Sequence, residues 1–128
     1  MSDTLSRLAL RILSALLSLA VLTQFFIAGM AAMMNPEWWT YHSEWVGIFQ
    51  WLVVPLPFLA FLGGRPRYWR TALAILPLVQ VALQYVLAHR ALEGRLTTGM
   101  GLHAVNGAML LIVATFLAMG CADRKMST

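Results

Sequence analysis

The chain has 128 residues, of which 60% are hydrophobic and 11% are charged, and its formal net charge is +4. Its mean hydropathy is +0.74. A soluble domain is about half apolar and about a quarter charged, so this composition excludes an ordinary soluble protein and indicates an integral membrane protein. The cations lie at the ends of apolar runs and form no single stripe, which argues against nucleic-acid binding.

Four charge-poor runs follow one another along the chain, and each approaches the ~20 residues that cross a hydrocarbon layer. They predict spans at about residues 10–34, 43–63, 69–89 and 99–121, within a single domain of residues 1–128. Short connections between helices favour antiparallel neighbours. The sequence therefore predicts an all-α fold, a bundle of four transmembrane helices in up-down-up-down order that lies in the lipid bilayer.

The distribution of basic residues predicts the orientation of this bundle. The first apolar run is longer than the ~7–15 residues of a secretory signal core, so we expect it to be a retained span. Only Arg90 and Arg95 lie on one side of the predicted spans. The other side carries Arg7, Arg11, Arg65, Arg67, Arg70, Arg124 and Lys125. The positive-inside rule then predicts an inner-membrane protein whose termini both lie in the cytoplasm.

Prolines interrupt the apolar runs at defined places. Asn35-Pro36 ends the first run, and an aromatic belt follows it. Pro55 and Pro57 remove backbone donors from the second run and predict a kink in its inner half. Pro77 lies near the middle of the third run.

The polar residues of the predicted spans concentrate in the outer leaflet. The three histidines, His42, His89 and His103, lie at the outer ends of spans 2, 3 and 4. Because polar groups in hydrocarbon normally face the bundle interior, these side chains predict a polar pocket in the outer half and an apolar inner half. Its predicted amide members are Gln24, Gln80, Gln84 and Asn106.

The stretch GMGLHAVNGAML at the start of span 4 places a histidine among glycines. Gly99, His103 and Gly107 follow i,i+4 spacing, and Asn106 lies one turn after His103. The glycines leave bare backbone one turn above and below the imidazole. The space beside these glycines admits either a flat ligand or a neighbouring helix. In the same way, the pocket amides either bind a ligand or join helices.

Helix geometry favours one ligand for this pocket. In an up-down bundle, spans 2 and 4 are diagonal, and their axes are roughly 11–14 Å apart. That is about the separation needed for two imidazoles to bind one metal ion. We therefore expect a b-type haem whose iron is held by His42 and His103, with Trp38 and Trp45 as apolar walls, for electron transfer or haem sensing.

Two other functions stay open. The chain could be an accessory subunit of a larger membrane complex or a homo-oligomer that binds no cofactor. Alternatively, His42, His89 and His103 could form a copper or zinc site. The single cysteine, Cys121, excludes an intramolecular disulfide and a cysteine metal cluster.

The sequence favours a non-enzymatic role. It lacks a phosphate-binding glycine loop, a nucleophile elbow and a His-Glu zinc helix, which argues against hydrolysis and phosphoryl transfer. The central parts of the predicted spans carry no charged residue, so the carboxylate relay of a proton-coupled pump and the charged ring of a channel are missing.

Short motifs in all four spans carry a resemblance to a known family. They are Gln24-Phe25-Phe26-Ile27-Ala28-Gly29, His42 with Gly47, Gln80, and Leu102-His103-Ala104-Val105-Asn106-Gly107. Through them the chain resembles a family of small four-span bacterial membrane proteins of unassigned function. Its span count and histidine placement are also similar to those of small membrane cytochromes b, which implies haem ligation by histidines on different helices.

Overall fold

The structure, a computed structural model, describes residues 2–64 and 67–123, apart from the side chain of Arg67. This part of the chain forms helices α1 (Asp3–Met33), α2 (Trp38–Phe49), α3 (Leu56–Leu62), α4 (Arg67–Leu92) and α5 (Gly99–Ala118). Short 3₁₀ segments follow α2 at Gln50–Val53 and α5 at Cys121–Asp123. Four cations used to predict the orientation, those of Arg65, Arg67, Arg124 and Lys125, therefore lie outside the described side chains.

The predicted all-α fold is confirmed, and the described residues contain four helical stretches long and apolar enough to cross a membrane. These are Asp3–Met33, Trp38–Leu62, Tyr68–Leu92 and Gly99–Ala118. Large apolar side chains also cover the outside of the bundle, where Phe26, Ile48 and Val105 are each more than 60% exposed. Helices that are apolar all round are consistent with a membrane protein.

Helix α1 begins well before the predicted first span because polar residues cap it. The Ser2 hydroxyl accepts a hydrogen bond from the Leu5 N–H, and Asp3 lies in the first turn. Both features stabilise the positive end of a helix dipole. The apolar run identified the part that can cross a membrane, whereas the cap sets where the helix starts.

The second span is broken near its middle, as its prolines predict. Helix α2 ends at Phe49, a 3₁₀ segment follows to Val53, and α3 begins at Leu56. Pro55 and Pro57 supply no backbone N–H here, so the α-helical ladder cannot run through. Pro77 is instead accommodated inside the continuous helix α4.

The helices pack around a core of leucines, valines and alanines. Helix α1 packs against α2, α3 and α5, while α4 packs against α3 and α5. Leu17, Leu56 and Leu117 are at most 1% exposed in this core. Within the described part of the chain, α2 and α5 are not backbone neighbours, so side chains that reach between them cross the bundle interior.

Polar residues gather at both ends of the bundle. We call the end that holds Gln24, His42, Gln84 and His103 the histidine end, and the end that holds Arg11, Arg70 and Asp123 the arginine end. At the histidine end, the Gln24 amide contacts the backbone of His42. At the arginine end, the Arg11 guanidinium contacts the Asp123 carboxylate.

The arginine end contains a buried ion-pair cluster, which the sequence analysis did not predict. Arg70 is completely buried, and its guanidinium donates to the carbonyls of Ala60 at 3.0 Å and Gly64 at 2.6 Å and to Asp123 at 2.7 Å. Arg11 donates to the second Asp123 oxygen at 2.8 Å. Arg70 can therefore be buried because its charge is paired and its donors are bonded.

The electrostatics of Asp123 follow from these contacts. Burial of the carboxyl group alone would raise its pKa, but the hydrogen bonds from Arg11 and Arg70 and the charges of both guanidinium groups outweigh that effect and lower the pKa of Asp123. Asp123 is thus held in its charged form. It joins α1, α4 and the segment after α5.

Candidate functional site

The imidazoles of His42 and His103 face each other across the histidine end. Their ring centroids are 6.2 Å apart and their planes are inclined by 48°. His42 lies on helix α2, which begins at Trp38, and His103 lies on α5. Since these helices are not backbone neighbours, the two half-buried side chains bridge the space between α2 and α5.

His103 is fixed by a neighbouring backbone group. Its Nδ1 lies 3.2 Å from the carbonyl oxygen of Gln84 on α4. A carbonyl oxygen can only accept, so this contact selects the tautomer in which Nδ1 carries the proton and donates it. The other ring nitrogen, Nε2, is then the basic nitrogen available to a metal ion.

His42 is held through its backbone rather than through its ring. The Gln24 amide donates to the His42 carbonyl at 2.9 Å. The Nδ1 atom of the same histidine is buried and has no hydrogen-bond partner among the described residues. The two histidines therefore differ in how firmly their rings are oriented.

An aromatic ring that the sequence analysis did not select contacts His42. The Trp39 ring is inclined by 76° to the imidazole, with ring centroids 5.4 Å apart. The predicted wall residue Trp38 instead contacts Phe26 of α1, at 6.2 Å, and Tyr41. Trp39 precedes His42 by three residues, a spacing that places both on one helix face and could have identified it.

The predicted pocket amides partly join helices. The Asn106 amide donates to the backbone carbonyl of Gln80 at 2.8 Å, which ties α5 to α4. The Gln24 contact with His42 ties α1 to α2 in the same way. Such contacts contribute about 0.6–2 kcal/mol each in a membrane interior.

The same amides also leave acceptors unpaired. The side-chain oxygens of Gln24, Gln80 and Gln84 are buried and have no hydrogen-bond partner among the described residues, like the Nδ1 atom of His42. An unpaired buried polar atom costs about 1–3 kcal/mol. Their concentration near the two imidazoles marks this end as the polar interior of the bundle.

The two glycines of the GMGLHAVNGAML stretch have different neighbours. A Cβ atom on Gly99 would lie 2.7 Å from the Ala91 Cβ and 2.9 Å from the Leu87 carbonyl oxygen, so Gly99 allows α4 and α5 to approach closely. At Gly107 it would lie 2.9 Å from the Gln84 amide nitrogen and 3.4 Å from the Phe25 ring. Gly107 thus faces movable side chains of the pocket, whereas Gly99 faces a helix.

Trp45, the second predicted wall residue, joins α2 to α1. Its indole N–H donates to the Ala20 carbonyl at 2.9 Å. Its ring also lines an open apolar groove of about 380 Å³ between the two helices, together with Leu19 and Phe49. Trp45 therefore takes part in the α1–α2 interface.

The predicted three-histidine metal site is not assembled. His89 has a side chain that is 74% exposed, and its Nε2 lies 3.0 Å from a Glu93 oxygen. In residues 2–64 and 67–123, no group of three or more His, Cys, Asp or Glu side chains is arranged to hold a metal ion. His89 stands apart because it points outward from the end of α4, while His42 and His103 point inward.

The chain matches a known family over part of its length. Residues 24–92, more than half of the chain, match a family of unknown function, DUF6220. The chain belongs to the DUF6220 family. This agrees with the predicted resemblance to a small membrane-protein family of unassigned function.

The matched region of this DUF6220 member contains Gln24, His42, Gln80 and Gln84, while helix α5 with His103 lies beyond it. No curated protein and no solved structure matches the chain. The similarity to membrane cytochromes b thus has no support from these comparisons, and any argument for haem depends on the site itself.

Proposed function

We propose that the protein is an integral inner-membrane protein that binds one b-type haem between His42 and His103, for electron transfer or haem sensing. The observation that carries the proposal is the 6.2 Å separation of the two imidazole centroids. A metal–nitrogen bond is about 2 Å, and each ring centre lies about 1 Å beyond its nitrogen, so two imidazoles on opposite sides of one metal have centroids about 6 Å apart.

The surroundings of the two rings suit this role. The contact between the His103 Nδ1 and the Gln84 carbonyl, at 3.2 Å, is the kind of second interaction that orients histidine ligands. The 48° angle between the ring planes is compatible with two histidines that would hold one haem iron, since the planes of two imidazole ligands need not be parallel. Histidine is also a common axial ligand of haem iron.

A macrocycle between these rings needs room, and one side of the site can provide it. Gly107 faces the ends of the Gln84 and Phe25 side chains, which can rotate away without moving a helix. The unpaired amide oxygens of Gln24, Gln80 and Gln84 show that the packing of these side chains is not fixed by hydrogen bonds at those atoms. We therefore place the haem edge on the Gly107 side.

The proposed orientation is an up-down-up-down bundle with both termini in the cytoplasm. Contacts between residues far apart in the chain support the antiparallel order of the helices, because Arg11 meets Asp123 and Ser18 meets Thr115, as expected for antiparallel α1 and α5. Arg70 meets Ala60 in the corresponding way for α4 and α3. The positive-inside rule then places the arginine end in the cytoplasm and the haem in the outer leaflet.

Haem content tests the proposal. The full-length protein, purified in a mild detergent from cells supplied with iron, should contain about one b-type haem per chain, as measured by the pyridine haemochrome spectrum. The double variant His42→Ala/His103→Ala should contain little. His89→Ala is the matched control, because His89 points away from the site, and it should retain the wild-type content.

Elemental analysis of the same sample separates the rival occupants. Copper or zinc suits imidazole ligands as well, so either metal in place of haem would assign the two histidines to a bare metal ion. A colourless, metal-free protein that copurifies with other membrane subunits would instead favour the accessory role. Both results contradict the haem proposal.

A further inference from the structure

The two imidazoles at the histidine end are supported unequally. The His103 Nδ1 lies 3.2 Å from the Gln84 carbonyl, whereas the His42 Nδ1 is buried and has no hydrogen-bond partner among the described residues. The ring of Trp39 also contacts His42, with centroids 5.4 Å apart, but an indole carries no acceptor atom for a hydrogen bond. Only one of the two rings is thus oriented by a hydrogen bond.

This difference matters for any metal bound between the rings. A hydrogen bond from the second ring nitrogen fixes the orientation of a histidine ligand and increases its basicity. Loss of such a partner typically weakens metal binding by about 10–100-fold. By this measure His103 is the stronger ligand and His42 the weaker one.

The helices that carry the two rings also differ in how well they support them, and α5 supports His103 better than α2 supports His42. His103 lies on α5, a continuous helix of 20 residues that packs against both α1 and α4. His42 lies on α2, which has 12 residues and passes into a 3₁₀ segment at Gln50. The shorter and interrupted helix gives the His42 ring less support along its length.

We propose that His103 is the permanent ligand of the iron and His42 an exchangeable one, so that a neutral diatomic gas replaces His42 on ferrous iron. This inference rests on the proposed haem function, and it selects gas sensing over simple electron transfer. In this exchange the bond from the His42 Nε2 to the iron would be replaced by one bond from the gas, with no transfer of an electron or a proton. The imidazole leaves as a neutral group.

The released His42 has a potential hydrogen-bond partner nearby. The Gln24 amide already donates to the His42 carbonyl, while its own side-chain oxygen is buried and unpaired. Rotation of the freed ring would allow an imidazole N–H to donate to this oxygen. Such a bond would stabilise the gas-bound state by about 0.5–1.5 kcal/mol.

Carbon monoxide binding to the reduced, purified full-length protein tests the inference. Wild-type protein should bind carbon monoxide at a rate that reaches a plateau as the gas concentration rises, because departure of His42 becomes limiting. His42→Ala should bind it about tenfold faster or more, without a plateau. The carbon–oxygen stretching frequency should be the same in both proteins, since His103 would still hold the iron in each.

Two results would overturn this inference while leaving the haem proposal intact. One is haem-containing wild-type protein that does not bind carbon monoxide. The other is a stretching frequency that changes in His42→Ala but not in His103→Ala, which would mean that His103 leaves instead. A protein without haem would contradict both proposals. The carbon monoxide comparison uses only wild type and His42→Ala, so it tests the inference even if His103→Ala does not fold.

Discussion

The Arg70 guanidinium lies 2.7 Å from the Asp123 carboxylate, with the arginine side chain completely buried and the aspartate side chain 12% exposed. Asp123→Asn should therefore lower the free energy of unfolding by about 3–5 kcal/mol, because it leaves a buried guanidinium without its counter-charge. Denaturation in detergent micelles, followed by tryptophan fluorescence, measures the change.

Arg11→Gln is the matched control for this prediction. Arg11 contacts the same carboxylate, but its side chain is 45% exposed. An exposed ion pair contributes about 0–1 kcal/mol, so the loss should be correspondingly small. Equal losses in the two variants would show that the burial of Arg70 does not govern the stability of this end.

The lowered pKa of Asp123 predicts a pH dependence. Although burial opposes the shift, the hydrogen bonds and charges of Arg11 and Arg70 hold the pKa below its usual value. The carboxylate therefore contributes stability above the pKa of an unfolded aspartate, about 3.9, and this contribution is lost as the pH falls through the lower folded pKa.

The comparison of wild type with Asp123→Asn isolates that contribution from those of other carboxylates. The difference in unfolding free energy should be constant near neutral pH and should shrink below about pH 4. A difference that grows as the pH falls would mean that the folded pKa is raised, contrary to the effect of the two arginines.

Gly99 and Gly101 provide a matched pair for the packing of α4 against α5. A Cβ on Gly99 would lie 2.7 Å from the Ala91 Cβ, whereas a Cβ on Gly101 would meet nothing within 4 Å. We expect Gly99→Ala to destabilise the protein by about 1–3 kcal/mol and Gly101→Ala to leave stability unchanged or slightly higher. Thermal unfolding of both variants in the same detergent checks this, and similar melting temperatures would contradict the close approach.

Trp45 and Trp51 form a second pair. The Trp45 indole donates to the Ala20 carbonyl, while the Trp51 side chain lies at the surface and is 69% exposed. Trp45→Phe should cost about 0.6–2 kcal/mol of stability and leave the haem spectrum unchanged, and Trp51→Phe should change neither. A shifted haem spectrum in Trp45→Phe would instead show that Trp45 contacts the haem, as the sequence analysis predicts.

Much of the fold follows from patterns that are local in the sequence. Apolar runs identified the four spans, and Pro55 with Pro57 indicated the break before α3. The spacing of apolar residues could not locate the start of α1, which depends on the Ser2 hydroxyl. A hydropathy pattern does not identify the residue whose side chain caps a helix.

Interactions between distant residues were harder to predict. Arg70 was interpreted only as a cation at the cytoplasmic side, because its partner Asp123 is 53 residues away and lies just after the last span. The pairing of His42 with His103 could be predicted because both start their spans on the same side. The Gln84 carbonyl that fixes His103 could not, since any backbone carbonyl can accept and no side chain signals which one does.

The electron paramagnetic resonance spectrum of the oxidised, purified protein most directly tests the proposal that His42 and His103 bind one iron together. Two imidazoles whose centroids lie 6.2 Å apart should give a low-spin ferric signal in the wild type and in His89→Ala. His42→Ala and His103→Ala should each convert it to a high-spin signal or lose it. A low-spin signal that persists in both single variants, or the absence of any haem signal from the wild type, would contradict the assignment.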